Sequence, residues 1–224
     1  MKKYIFIFII SCIFNTINLN AQYIITDKDG YTNVRKEPNS KSEIVEKVVK
    51  YQVFYSAEDI PCYDLHDPNI SVGNWLQVST DMLNGTGYIY IKNIYPVDKL
   101  PVLCVEKEFE GNSFRCSNDS IELLITKQDY NPHNKLDGKR MYGTDGWIPY
   151  KEIKEIIVTY KGKKMYVPEN KFKNYYDVGG YISVWIGFDG ELYLSFGGGD
   201  GSGGYGVMLT ILNGDIVHSI VSEC

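Results

Sequence analysis

Three turn signals in the second half of the chain constrain its fold more than any other feature. They are Lys161-Gly162-Lys163, Asp189-Gly190 and Asn213-Gly214. Each separates two apolar, strand-like segments: 156–160 and 165–167, 181–188 and 192–196, 205–212 and 216–221. Asp-Gly and Asn-Gly favour two-residue hairpin turns because both residues tolerate positive φ. Residues 98–224 are therefore predicted to form an antiparallel β-meander, folded as a sandwich or an open barrel.

The start of this second domain gives weaker signals. Residues 121–126 are apolar enough for another strand, and Asn131-Pro132 indicates a loop over 128–136. Pro149 suits the first position of a helix, so it predicts one helical turn that extends through Lys154.

The first domain, residues 22–97, also consists of short strand candidates. They lie at 23–25, 44–49, 53–55, 75–79 and 88–91. Asn84-Gly85 is a further hairpin signal. Five short strands over this length predict a small barrel, so the whole chain is expected to be all-β. Pro96 and Pro101 bracket a short segment that we interpret as the linker between the two domains.

Three motifs in the first domain resemble those of bacterial SH3 (SH3b) domains. Asn33-Val34-Arg35 with Pro38 resembles an N-V-R-x-x-P opening, 73–78 resembles a G-x-W-x-x-V strand, and 85–90 resembles a G-x-x-G-Y-V hairpin. The resemblance covers about a third of the chain and implies an SH3-like barrel that binds cell-wall peptide or glycan. The chain departs from the family pattern at Lys50-Tyr51, where the family usually has Lys-Gly, and in the longer segment 58–72.

The motif residues of the first domain are predicted to have different roles: some belong to the core, and others contact a ligand. Val34 and Trp75 are expected in the core, and the guanidinium of Arg35 is expected to hold a loop by hydrogen bonds. Three tyrosines are the candidates for a ligand-binding face, because an aromatic ring stacks on sugars and its hydroxyl hydrogen-bonds. They are Tyr31, Tyr88 and Tyr90.

The glycine-rich stretch 197–206 allows several interpretations. It lacks the lysine of a phosphate-binding loop. Asp200 alone gives little support for a calcium site, because calcium requires several oxygen ligands. A structural interpretation is a flexible hairpin loop, or a place where the backbone passes close to another element. The functional interpretation is an exposed loop that closes over a partner. For that case Asp200 and Tyr205 are the candidate ligand-binding residues.

Residues 1–21 are typical of a secretory signal peptide. Lys2 and Lys3 precede an apolar run that is too short to span a bilayer, and Ala21 offers a cleavage site. A lipoprotein anchored through Cys12 is the less favoured alternative. Without the two lysines the net charge of −5 becomes −7, which argues against nucleic acid or an anionic membrane as partner.

Four cysteines remain after the leader, an even number that suggests disulfides in an exported protein. Cys104 and Cys116 flank a turn-like segment and are predicted to pair across a hairpin. Cys62 and Cys224 would then tie the first domain to the end of the chain. The alternative is that some thiols are simply buried. No C-x-x-C or paired histidine indicates a zinc site.

The sequence gives little basis for catalysis. The three histidines, His66, His133 and His218, are scattered, and neither G-x-S-x-G nor H-E-x-x-H occurs. We therefore expect an exported, non-enzymatic envelope protein without a cofactor, which binds cell-wall peptide or glycan or an envelope protein. A protein inhibitor or immunity-type factor that acts through the glycine-rich loop is the alternative. A small cell-wall hydrolase is the least favoured class.

Overall fold

The structure, a computed structural model, describes residues 22–56, 71–79, 86–134, 138–144, 146–199 and 203–223. In these residues the chain forms seventeen β-strands and a few short 3₁₀ turns. The fold is all-β with several antiparallel sheets, as predicted. The leader, Asn84-Gly85, Asp200, Cys62 and Cys224 lie outside the described residues.

The first eight strands form one sheet, which we name the N-terminal sheet. Its strands are β1 (Gln22–Ile25), β2 (Tyr31–Arg35), β3 (Ile44–Val49), β4 (Phe54–Ser56), β5 (Ser71–Val72), β6 (Trp75–Ser79), β7 (Gly87–Tyr90) and β8 (Ile94–Pro96). The spatial order is β3-β2-β7-β6-β4-β1-β8, and β5 pairs with β6. Among the described residues the end strands β3 and β8 do not pair, so the predicted barrel is not closed. Its inner face buries Ile25, Val34, Val48, Phe54, Val78 and Ile89.

The remaining nine strands form two sheets. They are β9 (Val102–Lys107), β10 (Ser113–Ser117), β11 (Ile121–Asp129), β12 (Lys151–Tyr160), β13 (Lys163–Tyr166), β14 (Val178–Ile186), β15 (Leu192–Gly198), β16 (Tyr205–Leu212) and β17 (Asp215–Glu223). A four-stranded sheet has the order β10-β11-β12-β13, and a five-stranded sheet has the order β17-β16-β15-β14-β9. Their facing sides share one apolar core, so the second part of the chain is a β-sandwich.

The three predicted hairpins form at the predicted turns. Strands β12 and β13, β14 and β15, and β16 and β17 pair antiparallel around them. Gly162, Gly190 and Gly214 all have positive φ, and Asn213 joins them with a φ of 53°. The glycine of each turn therefore uses the conformation that it tolerates best, whereas Lys161 adopts a positive φ of 46° that is uncommon for lysine.

The five-stranded sheet is covered on both faces. On β16, Met208 and Leu209 are both fully buried but point in opposite directions. Leu209 belongs to the sandwich core, whereas Met208 packs against the N-terminal sheet. This double coverage explains why β15 and β16 are apolar almost without alternation.

A second apolar cluster joins the two parts of the chain. It contains residues of the N-terminal sheet, of the segment after it and of the five-stranded sheet: Ile24, Val53, Val97, Leu100, Trp185, Tyr193, Met208 and Ile220. The predicted linker is therefore not a free connection, because Val97 and Leu100 are buried in this interface. Residues 97–99 form a 3₁₀ turn.

The predicted helical turn from Pro149 to Lys154 is wrong. Strand β12 already begins at Lys151, and it pairs with β11 as far back as Asp129. The register shifts opposite Thr126 and Lys127, which leaves Lys154 as the extra residue of a β-bulge. The bulge interrupts the alternation of apolar and polar residues, so the sequence pattern does not indicate a strand here. The loop predicted over 128–136 accordingly begins later.

The predicted pair Cys104 and Cys116 is present, with the two sulfurs at bonding distance and the Cα atoms 6.1 Å apart. Its place in the fold differs from the prediction. Cys104 lies on β9 of the five-stranded sheet and Cys116 on β10 of the four-stranded sheet. The pair therefore joins the two layers of the sandwich instead of crossing a hairpin.

Candidate functional site

The outer face of the N-terminal sheet is divided between the domain interface and solvent. The outward residues of β1, β4 and β8, namely Ile24, Tyr55 and Tyr95, pack into the interface cluster. The outward residues of β2, β6 and β7 remain at least partly exposed. We name this half the aromatic face; its members are Tyr31, Arg35, Trp75, Tyr88 and Tyr90. All three tyrosines predicted as ligand contacts therefore lie on one surface.

The strand register brings these side chains together. Tyr88 lies directly opposite Arg35 on β2, and Tyr90 lies opposite Trp75 on β6. Residues opposite each other on antiparallel strands point to the same side and contact one another. The rings of Trp75 and Tyr90 are 5.4 Å apart at an interplanar angle of 59°. The result is one ring contact across β6 and β7, with Tyr88 on the same face beside it.

Trp75 was predicted in the core, and this prediction is wrong. Its side chain is partly exposed on the aromatic face, whereas Leu76 and Val78 of the same strand point inward. Side chains along β6 alternate between the two faces of the sheet, and both faces carry apolar residues. The sequence alone therefore does not decide whether Trp75 or the pair Leu76 and Val78 points into the core. The prediction for Val34 is confirmed, because its side chain is fully buried.

Two cations shape the edge of the aromatic face. The Arg35 guanidinium donates a 2.6 Å hydrogen bond to the carbonyl of Ser42, so it holds the loop between β2 and β3 as predicted. The Lys47 ammonium lies 4.4 Å from the centre of the Tyr31 ring, a cation–π contact that covers one side of the ring. Tyr31 remains 39% exposed.

Tyr51, the departure from the SH3b pattern, lies at the domain interface. Its φ of 72° is the conformation that a glycine adopts without cost. Its hydroxyl donates to an Asp189 carboxylate oxygen at 3.3 Å, and its carbonyl accepts from the Thr210 hydroxyl at 2.9 Å. The neighbouring Lys50 lies 2.6 Å from Asp189, and its hydrogen bond lowers the pKa of that carboxyl. These bonds connect the two parts of the chain.

His218 contributes to the same interface. Its Nε2 lies 3.2 Å from the carbonyl of Val53 across the two domains. Burial lowers the pKa of the imidazole below its ordinary value, and the contact with this carbonyl opposes the shift.

The described glycines at the start of the glycine-rich stretch are packed closely. A Cβ on Gly198 would lie 2.8 Å from the carbonyl oxygens of Tyr176 and Asp177, and one on Gly197 would lie 2.8 Å from that of Tyr205. One on Gly199 would lie 2.8 Å from the Cα of Gly143. These positions need glycine because the backbone passes close to other elements, which is one of the two structural interpretations of the sequence.

Tyr205, predicted as a ligand contact, is a core residue. It is 2% exposed, and its hydroxyl donates to the carbonyl of Tyr176 at 3.0 Å. Its ring packs against Tyr142 and Tyr175, and burial raises its pKa well above the ordinary value. Such a side chain has no free face for a ligand. Asp200 lies outside the described residues.

An exposed apolar tip precedes β12, and the sequence analysis missed it. Trp147 is 82% exposed and Tyr150 is 84% exposed, with Ile148 between them also exposed. The tip is anchored at its base, because the Asp177 carboxylate accepts hydrogen bonds from the amides of Tyr150 and Lys151. The available signal was the run Trp147-Ile148-Pro149-Tyr150 itself, which a helical interpretation obscured.

The described residues bring no three His, Cys, Asp or Glu side chains together in a cluster that suits a metal ion. No helix in the described part of the chain is long and apolar enough to cross a bilayer. No protein-family model matches the chain, and neither a curated protein nor a solved structure matches it.

Proposed function

We propose that this chain is an exported envelope protein that binds cell-wall peptide or glycan through the aromatic face. The observation that carries the proposal is the clustering of Trp75, Tyr88 and Tyr90 on adjacent strands, partly exposed and outside the domain interface. Aromatic rings bury large flat areas against sugar rings and peptide groups, while the indole N–H and phenol hydroxyls supply hydrogen bonds.

The domain interface favours binding at this face in two ways. It covers one half of the outer surface and so leaves the aromatic half as the accessible one. It also packs the N-terminal sheet against the five-stranded sheet, and a face that is held in place before binding loses less conformational freedom when a ligand binds. Lys47 and Arg35 add positive charge at the edge, which suits the carboxylates of a peptide.

We propose that the chain is not an enzyme and needs no cofactor. Two observations support this view. Cys104 and Cys116 are paired with each other, so neither thiol serves as a nucleophile. His218 lies against a backbone carbonyl inside the domain interface rather than in an open cleft. The acidic net charge of −5 supports the proposal that nucleic acid is not a partner.

A pull-down on purified peptidoglycan tests the proposal. The chain should be retained above an unrelated acidic protein, and Tyr88→Ser with Tyr90→Ser should lower retention by about tenfold or more, since interface tyrosines are typical hot spots. Tyr181→Ser is the matched control, because Tyr181 is an exposed strand tyrosine in the sandwich. Equal retention of wild type and double variant, or equal loss in the control, would contradict the proposal.

A protein partner at the far end of the sandwich is the second candidate function. The apolar tip, 146–150, and the glycine-rich loop belong to the same end, because Gly199 packs against Gly143. Contiguous exposed apolar side chains are typical of interaction sites. Co-purification from envelope extracts should then be lost in Trp147→Ser and after deletion of 200–203, while the aromatic-face double variant retains its partner. Retention of the partner by both tip and loop variants would exclude this function.

A further inference from the structure

A cleft on the four-stranded sheet carries features that the proposed function does not use. Its volume is about 330 Å³, near the lower end of the range for small-ligand pockets. It lies between β12 and the segment that follows the end of β13. Its lining combines polar side chains and an apolar floor: Gln128, Lys154, Glu155, Ile156, Tyr166, Val167, Glu169, Phe172 and Lys173.

Lys173 is the first sign of a ligand. Its side chain is only 5% exposed, although lysine is rarely buried without a partner. Among the described residues its ammonium has one ionic neighbour, a Glu169 oxygen at 3.8 Å, which is too far for a hydrogen bond. The Lys173 ammonium makes no hydrogen bond to the described residues, and the adjoining cleft is where a ligand carboxylate would supply an acceptor.

The β-bulge of β12 supplies the second cation. Lys154 is the extra residue that has no partner on β11, and it lines the cleft. Within the described part of the chain its ammonium has no carboxylate at ion-pair distance. Bulges commonly redirect a side chain next to a binding site. Two lysine side chains therefore line one small cavity.

The cleft also contains negative charge and apolar surface. Glu155 and Glu169 line it, and they would repel a ligand that carried only negative charge. The floor consists of Ile156, Val167 and Phe172, all nearly or fully buried. The cavity thus matches a small zwitterion with an apolar part.

We propose that this cleft binds the carboxylate and ammonium groups of an amino acid or a short peptide. Lys173 and Lys154 bind the ligand carboxylate, Glu155 and Glu169 bind its ammonium group, and the apolar floor contacts its side chain. A free amino acid and the end of a peptide share this chemistry, so the experiment must distinguish them.

NMR titration of isotope-labelled chain from residue 22 onward tests the proposal with alanine, alanyl-alanine and the methyl ester of each as probes. Saturable shifts of the amides of 154–156 and 167–173 are expected with one of the two acids. The ester of that acid should bind at least tenfold more weakly. Stronger binding by alanine would identify a free amino acid as ligand, and stronger binding by alanyl-alanine would identify a peptide.

Two variants complete the test. Lys173→Met and Lys154→Gln should each weaken binding about tenfold, whereas Lys163→Gln, an exposed lysine on β13, should bind as wild type does. Lys154 is exposed, so its variant decides the question if Lys173→Met does not fold. The proposal is overturned if no probe gives saturable shifts, if the esters bind as well as the acids, or if Lys154→Gln matches wild type. The cleft is separate from the aromatic face, so failure of peptidoglycan binding leaves this result unaffected.

Discussion

The packing of the N-terminal sheet on the sandwich predicts the effect of truncating Met208. This side chain is fully buried between β16 and the N-terminal sheet, among the residues of the interface cluster. Met208→Ala removes its apolar contacts and leaves a cavity, because the rigid strands around it relax only partly. Substitutions of this kind cost about 2–5 kcal/mol. We expect a loss of stability in that range.

Leu209→Ala is the matched control, because Leu209 is the next residue of the same strand and is equally buried on the opposite side. Urea denaturation should show a comparable loss for both variants. Hydrogen exchange should separate them. Met208→Ala should accelerate exchange at the interface amides of Gln52 and Thr210 more than in the sandwich core, whereas Leu209→Ala should loosen the core around Leu123 and Leu194.

The reasoning fails if Met208→Ala changes the free energy of unfolding by less than about 0.5 kcal/mol, the usual range for surface substitutions. It also fails if the two variants give the same pattern of exchange. Either result would mean that the N-terminal sheet does not rest on Met208 in solution.

Lowering the pH from about 7 to 5 should reduce stability through His218, whose pKa is lowered by burial in the folded state; His218→Gln should flatten this dependence in denaturation curves. Gly198→Ala should cost about 1–3 kcal/mol, because its Cβ would meet two carbonyl oxygens, whereas Gly179→Ala, with its nearest atom at 3.8 Å, should be close to neutral in the same assay. Replacing Cys104 and Cys116 by serine should lower stability by about 2–4 kcal/mol, since they close a loop with a sequence separation of 12.

The direction of the pH effect follows from proton binding. The unfolded chain binds a proton at His218 more readily than the folded chain, so stability is complete above the ordinary histidine pKa and falls as the pH falls through it. An unchanged pH dependence in His218→Gln would contradict the assignment. Equal costs for the two glycine variants would contradict the close packing at Gly198. Unchanged stability of the serine variant would mean that the bridge does not constrain the unfolded chain.

Local signals in the sequence were sufficient to predict most of the strands and the three hairpins of the second domain. Asn213-Gly214 and Asp189-Gly190 dictate tight turns by their own backbone preferences, so the meander of the second domain was predictable. The pairing of Cys104 with Cys116 was also predictable, but its position between two sheets was not. Strand order decides which sheet each cysteine joins, and strand order depends on contacts distant in sequence.

The candidate site was also predictable in part, because strand alternation is a local property of the sequence. Tyr31, Tyr88 and Tyr90 follow strand alternation, which places them on one outer surface. Trp75 was misplaced, because its exposure depends on which of two alternating sets the sheet turns inward. Tyr205 was misplaced because its glycine-rich surroundings suggested an open loop, whereas those glycines allow close packing around its ring.

Chemical-shift mapping with soluble peptidoglycan fragments tests the proposed function most directly. The indole N–H of Trp75 and the amides of Tyr31, Tyr88 and Tyr90 lie on the aromatic face and report on ligand contact there. We predict saturable shifts of these signals and of their neighbours on β2, β6 and β7. Shifts confined to the sandwich, or no saturable shifts at all, would contradict the proposal that this face binds the cell wall.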